Sequence, residues 1–378
     1  MASPPYSLPP ALAERWAAVR WPATLGRRML MRLVLSSPYV AIAVWLHVRG
    51  VLTENVRLEQ LVRAFGRSGT SPGAVTRIFP PLAPAAARLL PGGAEALGIV
   101  GALAAGCLLH LCWERLVRAS VPRWLVAVLL AAAGACPVLW LDAAGNVMGF
   151  LGVVLLAVAV VGMLDFLHFN RTTGGYAAGL SLALAVLCDP AALVFAASVA
   201  VAVPLLGWER VRREPGSSLS ATAVVLFPTV AVLGAWAFLE WRFTGSVRHS
   251  LLFAPDALHF RSGLLAGLGA ATSRVGWELS CAPVLLVAII CLCRRRPLVA
   301  VGLLVVPLDL VLATWLGLHV PTAEGIVLLG VTGLMVVPTR PDRLVSAVLA
   351  VEAVAGAACT VALTGAGETG HLLRAVGL

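Results

Sequence analysis

A chain of 378 residues could hold two or three soluble domains, but this one is 60% hydrophobic and only 12% charged, with a mean hydropathy of +0.93. Soluble domains carry about 25% charged residues, so a water-soluble fold is excluded, and apolar runs recurring along the whole length mark an all-α, polytopic integral membrane protein. The net charge of +10 comes from 28 arginines with no lysine, clustered between apolar runs as in cytoplasmic loops. That distribution argues against nucleic acid as a partner and names the lipid bilayer instead. Uniform arginine with abundant Ala, Gly, Val and Leu is the composition of a GC-rich bacterial genome, so the expected location is a bacterial cytoplasmic membrane.

Residues 1–30 read as an arm. Leu12, Trp16 and Val19 recur at helical spacing beside Arg15 and Arg20, which predicts an amphipathic helix on the inner membrane face. No A-x-A site follows the first apolar run, so no removable signal peptide is expected. Eleven spans follow, near 31–51, 94–113, 123–141, 147–167, 176–188, 190–206, 219–240, 276–293, 297–317, 321–338 and 344–364. With the N-terminus inside, 17 of the 28 arginines fall in cytoplasmic segments and 11 outside, the bias that the positive-inside rule requires. Residues 31–364 thus form one membrane domain, and residues 365–378 a short outer tail.

Two outer segments are too long for simple connections, residues 52–93 and 241–275. In the first, Val56, Leu58, Leu61, Val62 and Phe65 form the apolar face of an amphipathic helix, with Arg57, Gln60 and Arg63 opposite. Long structured loops in a compact protein carry function more often than connections do.

Polar residues inside apolar runs cost about 2.5–3.5 kcal/mol each on insertion scales. His47, His110, Asp165, Glu240, Asp309 and Glu352 are such residues. Asp165 and His168, three apart, predict a structural helical pair at the inner end. The eight cysteines show neither CxxC spacing nor a nearby His set, so they read as small buried hydrophobes rather than zinc ligands. The acids expected at the outer face are Glu54, Glu59, Asp142, Asp189, Glu240 and Asp256. A carboxylate at the bilayer surface can act as a general base or ligate a divalent cation. Arginines beside it can hold phosphate oxygens bidentately, and Arg57, Arg63, Arg77, Arg242 and Arg248 are available. The alternative is an ordinary solvated face.

The stretch IFPPLAPAAARLLPGG, with its Phe-Pro-Pro-Leu lead into the second span, resembles polyprenyl-phosphate-dependent membrane glycosyltransferases of the GT-C fold. So do the Gly145-Asn146 element in DAAGNVMGF, the Ala178-Gly179-Leu180 short helix, the reversal at Asp189-Pro190, and the Gly-Ser turn of WRFTGSVRHSLL. The resemblance covers roughly residues 31–260. It implies transfer of a sugar from a polyprenyl-phosphate lipid to an acceptor at the outer membrane face. On it, Glu54 is the base or the ligand of a divalent cation (Mg or Mn), Glu59 and Asp142 assist, and Arg77, Arg242 and Arg248 bind the donor phosphate. Asp189 and Pro190 form a structural break, with Asp189 capping the next helix. Members of the family usually present an Asp where this chain has Glu54, and the chain shows no soluble outer domain after the last span. Acceptor recognition then falls to the loops or to a membrane protein partner. A non-catalytic scaffold that retains the fold is the alternative. A transporter would need discontinuous helices in two matching halves, and one such break is visible.

Overall fold

The computed structural model describes residues 24–67, 80–169, 172–206, 217–247, 264–295, 297–318 and 321–364. Among them all regular structure is helical, sixteen α-helices with no strand. The amphipathic stretch of the arm and the outer tail lie outside these residues.

Helix α1 (Leu25–Val48) starts within the stretch expected to be arm and runs through Pro38 without ending. Proline has no N–H to give the carbonyl four residues back. That carbonyl, on Val34, instead accepts from the Ser37 hydroxyl at 2.8 Å, the kind of local repair that lets proline persist in a membrane helix. The first outer segment holds α2 (Glu54–Arg67) and the short α3 (Leu82–Leu89). The chain then returns as α4 (Ala94–Arg118), whose small residues let neighbours approach closely. A Cβ at Gly106 would overlap Ser36 and the Arg32 carbonyl of α1, and one at Gly101 would overlap the Ala143 carbonyl.

Helices α5 (Arg123–Gly134) and α6 (Pro137–Gly145) form one apolar unit bent by 54° ahead of Pro137. The Tyr39 hydroxyl of α1 donates to the carbonyl of Gly134 at this bend, at 3.1 Å. Helix α7 (Val147–Phe169) follows after a single residue. Helices α8 (Thr172–Cys188) and α9 (Ala192–Leu206) meet at Asp189-Pro190, and α10 (Ser217–Thr244) completes the first two thirds.

The second outer segment departs from expectation. Helix α11 (Leu264–Cys281) continues through the boundary expected near residue 275 and then turns by 91° into α12 (Val284–Arg295). Pro283 lies at the corner, and its missing N–H removes the bond that would carry α11 onward. Helices α13 (Pro297–Leu303), α14 (Val305–Trp315), α15 (Thr322–Met335) and α16 (Arg343–Thr364) close the fold.

Among the described residues, four helices are long and apolar enough to cross a membrane, within α1, α4, α10 and α16, or six if each bent pair counts as one crossing. Shorter apolar helices lie at 147–163, 172–188, 192–201, 300–315 and 322–335. Leu30, Leu33, Phe227, Val230, Leu344 and Val351 are exposed. Apolar faces this broad are covered by lipid in a membrane-embedded protein. The bundle has two chemically distinct ends. At one, the Arg340 amide donates to the Ala119 carbonyl at 3.0 Å, joining the turn after α4 to the turn before α16. At the other, the α6–α7 junction meets the start of α15.

Candidate functional site

The α6–α7 junction leaves helix-end carbonyls and N–H groups without intrahelical partners. Asn55, in the first turn of α2 and 2% exposed, supplies both kinds. Its amide donates to the Ala144 carbonyl at 3.0 Å, and its carbonyl accepts from the Val147 N–H at 3.0 Å. Thr53, also buried, accepts from the Val56 N–H at 3.4 Å and starts α2 at this point. Helix α2 is therefore held on the junction through Asn55, with Thr53 buried at its start.

With the junction backbone satisfied by Asn55, the side chain of Asn146 is available to the interior. Its Nδ2 donates to Asp142 Oδ1 at 3.2 Å and to Glu324 Oε1 at 2.7 Å, while its Oδ1 accepts from the Gly149 N–H at 3.3 Å. One amide thus orients two carboxyl groups, both 4% exposed. Asp142 Oδ2 is buried and has no hydrogen-bond partner. Glycine is required at two places around this cluster. A Cβ at Gly149 would overlap the Glu324 carboxyl, and one at Gly325 would overlap that of Glu278. Glu278 pairs with Arg274 one turn earlier in α11, at 3.0 Å. Asp142, Asp189 and Arg274 all lie within electrostatic reach of Glu324. Four acids, two amides and one guanidinium from α2, α6, the α6–α7 junction, α11, α15 and the α8–α9 break thus share one end of an apolar bundle. Ionisable groups so placed mark functional sites by default.

The expected site residues are distributed unevenly around this cluster. Asp142 is at its centre. Glu54 is half exposed and takes Arg57, three residues on, as its partner. Glu59 pairs with Arg63, and its second oxygen accepts from the Ala94 N–H at 2.9 Å. That bond caps α4 at the positive end of its dipole, which gives Glu59 a structural task. Arg242 is exposed in the last turn of α10, whereas Arg77 and Arg248 lie outside the described residues. Asp189 accepts from the Ala191 N–H at 2.8 Å, the cap expected beside Pro190. Asp189→Ala is expected to lower stability by about 0.5–2 kcal/mol, read as the thermal midpoint of the purified protein; an unchanged midpoint would show that the cap contributes nothing. Asp165 pairs with Arg115 of α4 at 2.7 Å; the side chain of His168, its expected partner, lies outside the described residues.

Asn55, Arg274, Glu278 and Glu324 are not legible as site residues from the sequence. Arg274 and Glu278, four apart, look like any exposed helical ion pair. Glu324 looks like an ordinary acid in a helix's first turn.

Among the described residues no group of three or more His, Cys, Asp or Glu side chains is arranged to hold a metal ion, and Glu54, the expected ligand, pairs with Arg57. No family model, curated protein or solved structure matches the chain.

Proposed function

We propose that the protein transfers a sugar from a polyprenyl-phosphate-linked donor to an acceptor hydroxyl at the outer face of a bacterial cytoplasmic membrane, with Asp142 as the general base. The observation that carries this reading is the free oxygen of Asp142. It is buried and unpartnered, while the other oxygen is held by an amide that also holds Glu324. A carboxylate fixed through one oxygen and without a hydrogen-bond partner at the other has a lone pair left to accept a proton. The acceptor hydroxyl would give its proton to Asp142 Oδ2 as its oxygen bonds to the sugar's anomeric carbon. The bond from that carbon to the phosphate oxygen breaks, and polyprenyl phosphate leaves with the electron pair. Arg242, Arg77 and Arg248 remain the residues proposed to hold the phosphate. The α2–α3 segment, docked through Asn55, covers the junction where the reacting groups would meet.

The direct test incubates the purified protein with a panel of radiolabelled polyprenyl-phosphate monosaccharides in the presence of membrane extract from a deletion strain. Labelled product together with released polyprenyl phosphate is expected for one donor. No turnover of any donor by a protein that restores the deletion phenotype would overturn the proposal. The competing reading, a non-catalytic scaffold, draws on the partners that Glu54 and Glu59 already have in Arg57, Arg63 and the start of α4.

The proposal requires a topology. Eleven crossings, one for each apolar helical unit, put the N-terminus and the Arg340 end in the cytoplasm and the Asp142 cluster outside. In a background without native cysteines, Glu54→Cys is expected to react with a membrane-impermeant maleimide added to intact cells, and Ser217→Cys is not. The reverse pattern would place the acid cluster in the cytoplasm.

A further inference from the structure

At the opposite end of α1 and α4 lies a second cluster that the transfer site does not use. The two helices meet backbone to side chain where Gly106 faces Ser36 and the Arg32 carbonyl. Just beyond that contact Arg32 Nε donates to His110 Nδ1 at 3.4 Å. A neutral imidazole that accepts at Nδ1 carries its proton at Nε2 and is a donor there. His110 is 1% exposed, and its Nε2 is buried without a partner. The Nε atoms of Arg28 and Arg118 are likewise buried without partners. Arg28, Arg32 and Glu114 all lie within electrostatic reach of His110, and Arg118 pairs with Glu114 at 3.4 Å. Two guanidiniums thus lie near the buried imidazole N–H, and a third, on Arg118, pairs with the neighbouring Glu114. Every unsatisfied atom in the group is a donor, so what the cluster lacks is an acceptor of negative charge.

The geometry points to a binding site for a phosphate oxyanion here, presented by the headgroup of an anionic phospholipid and held by Arg28, Arg32 and the His110 N–H. Arg28 and Arg32 are half-buried on α1, beside the exposed Met29 and Leu33. Leu103 and Cys107 share the helical stripe of His110 and Glu114 and are exposed, as is Leu33 on α1. Apolar surface for acyl chains therefore lies beside the basic cluster, which favours a lipid over a free ion. Guanidinium groups recognise phosphate oxygens through charged N–H donors, and two of the three unpartnered N–H groups belong to guanidiniums. The site lies at the other end of the helices from Asp142, and its occupancy does not depend on the sugar-transfer reading.

The experiment uses the full-length protein purified in a neutral detergent and follows its thermal midpoint during titration with dihexanoyl-phosphatidylglycerol, dihexanoyl-phosphatidylcholine or inorganic phosphate. A saturable rise with phosphatidylglycerol, and a smaller one with the other two, is expected. Arg32→Gln is expected to weaken the apparent affinity for phosphatidylglycerol about tenfold or more, as loss of charged hydrogen bonds does. Arg27→Gln, which removes an exposed neighbouring charge, should leave the affinity unchanged. Arg28→Gln serves the same purpose if Arg32→Gln does not yield folded protein. An equal rise with inorganic phosphate would assign the cluster to a free ion and overturn the lipid assignment. The absence of a saturable rise with any probe, or equal affinity in wild type and both arginine variants, would overturn the site altogether.

Discussion

Asp142→Asn is expected to reduce sugar transfer by about 10²–10⁴-fold, the usual cost of removing a general base. Asparagine keeps the size of the side chain and the carbonyl that accepts from Asn146, so yield and thermal midpoint should stay close to wild type. What it loses is the oxygen that takes the proton. Glu54→Gln is the comparison. Because Glu54 is half exposed and already paired with Arg57, its loss should change stability by less than about 0.5 kcal/mol and leave transfer largely intact. The opposite ranking, with Glu54→Gln inactive and Asp142→Asn active, would return the base to the first outer segment. If both variants complement a deletion strain fully, the catalytic reading fails and the scaffold reading takes its place. Glu324→Gln separates positioning from proton transfer: it keeps an oxygen for the Asn146 amide, so its effect should be smaller than that of Asp142→Asn.

Gly106→Ala is expected to destabilise the protein by about 1–3 kcal/mol, the range for overpacking a tight interior. The new methyl group would meet main-chain atoms of α1, the Arg32 carbonyl and the Ser36 N–H, and main chain cannot rotate away as a side chain can. The two helices would have to separate, disturbing Arg32 and His110 together. Gly234→Ala is the control. That glycine lies in the middle of α10 with nothing within 4 Å of a built Cβ, and alanine there should gain helix propensity of up to about 1 kcal/mol. Thermal midpoints of the two purified variants should move in opposite directions. A Gly106→Ala variant as stable as wild type would mean that α1 and α4 are not held at this distance.

The sequence by itself determined the all-α character of the chain and the positions of its apolar helices, because both follow from runs of apolar residues that need no partner to be recognised. It also located the break at Asp189-Pro190, where a missing N–H and an Asp cap act within a few residues of each other. The corner at Pro283 was not legible, because the residues before it, through Cys281, continue a good helical pattern and only the packing shows how far α11 extends. The tertiary structure alone decided which acids share a site. Asn146 and Glu324 bond across 178 residues of chain, and no periodicity carries information over that distance. Glu54 and Glu278 look alike in sequence, each an acid near an arginine on an amphipathic helix, yet one is half exposed and the other 2% exposed. Burial is set by the elements that arrive from elsewhere in the chain, here α15 with Gly325 against Glu278, and burial is what separates a carboxyl group on a solvated face from one that the fold holds in place.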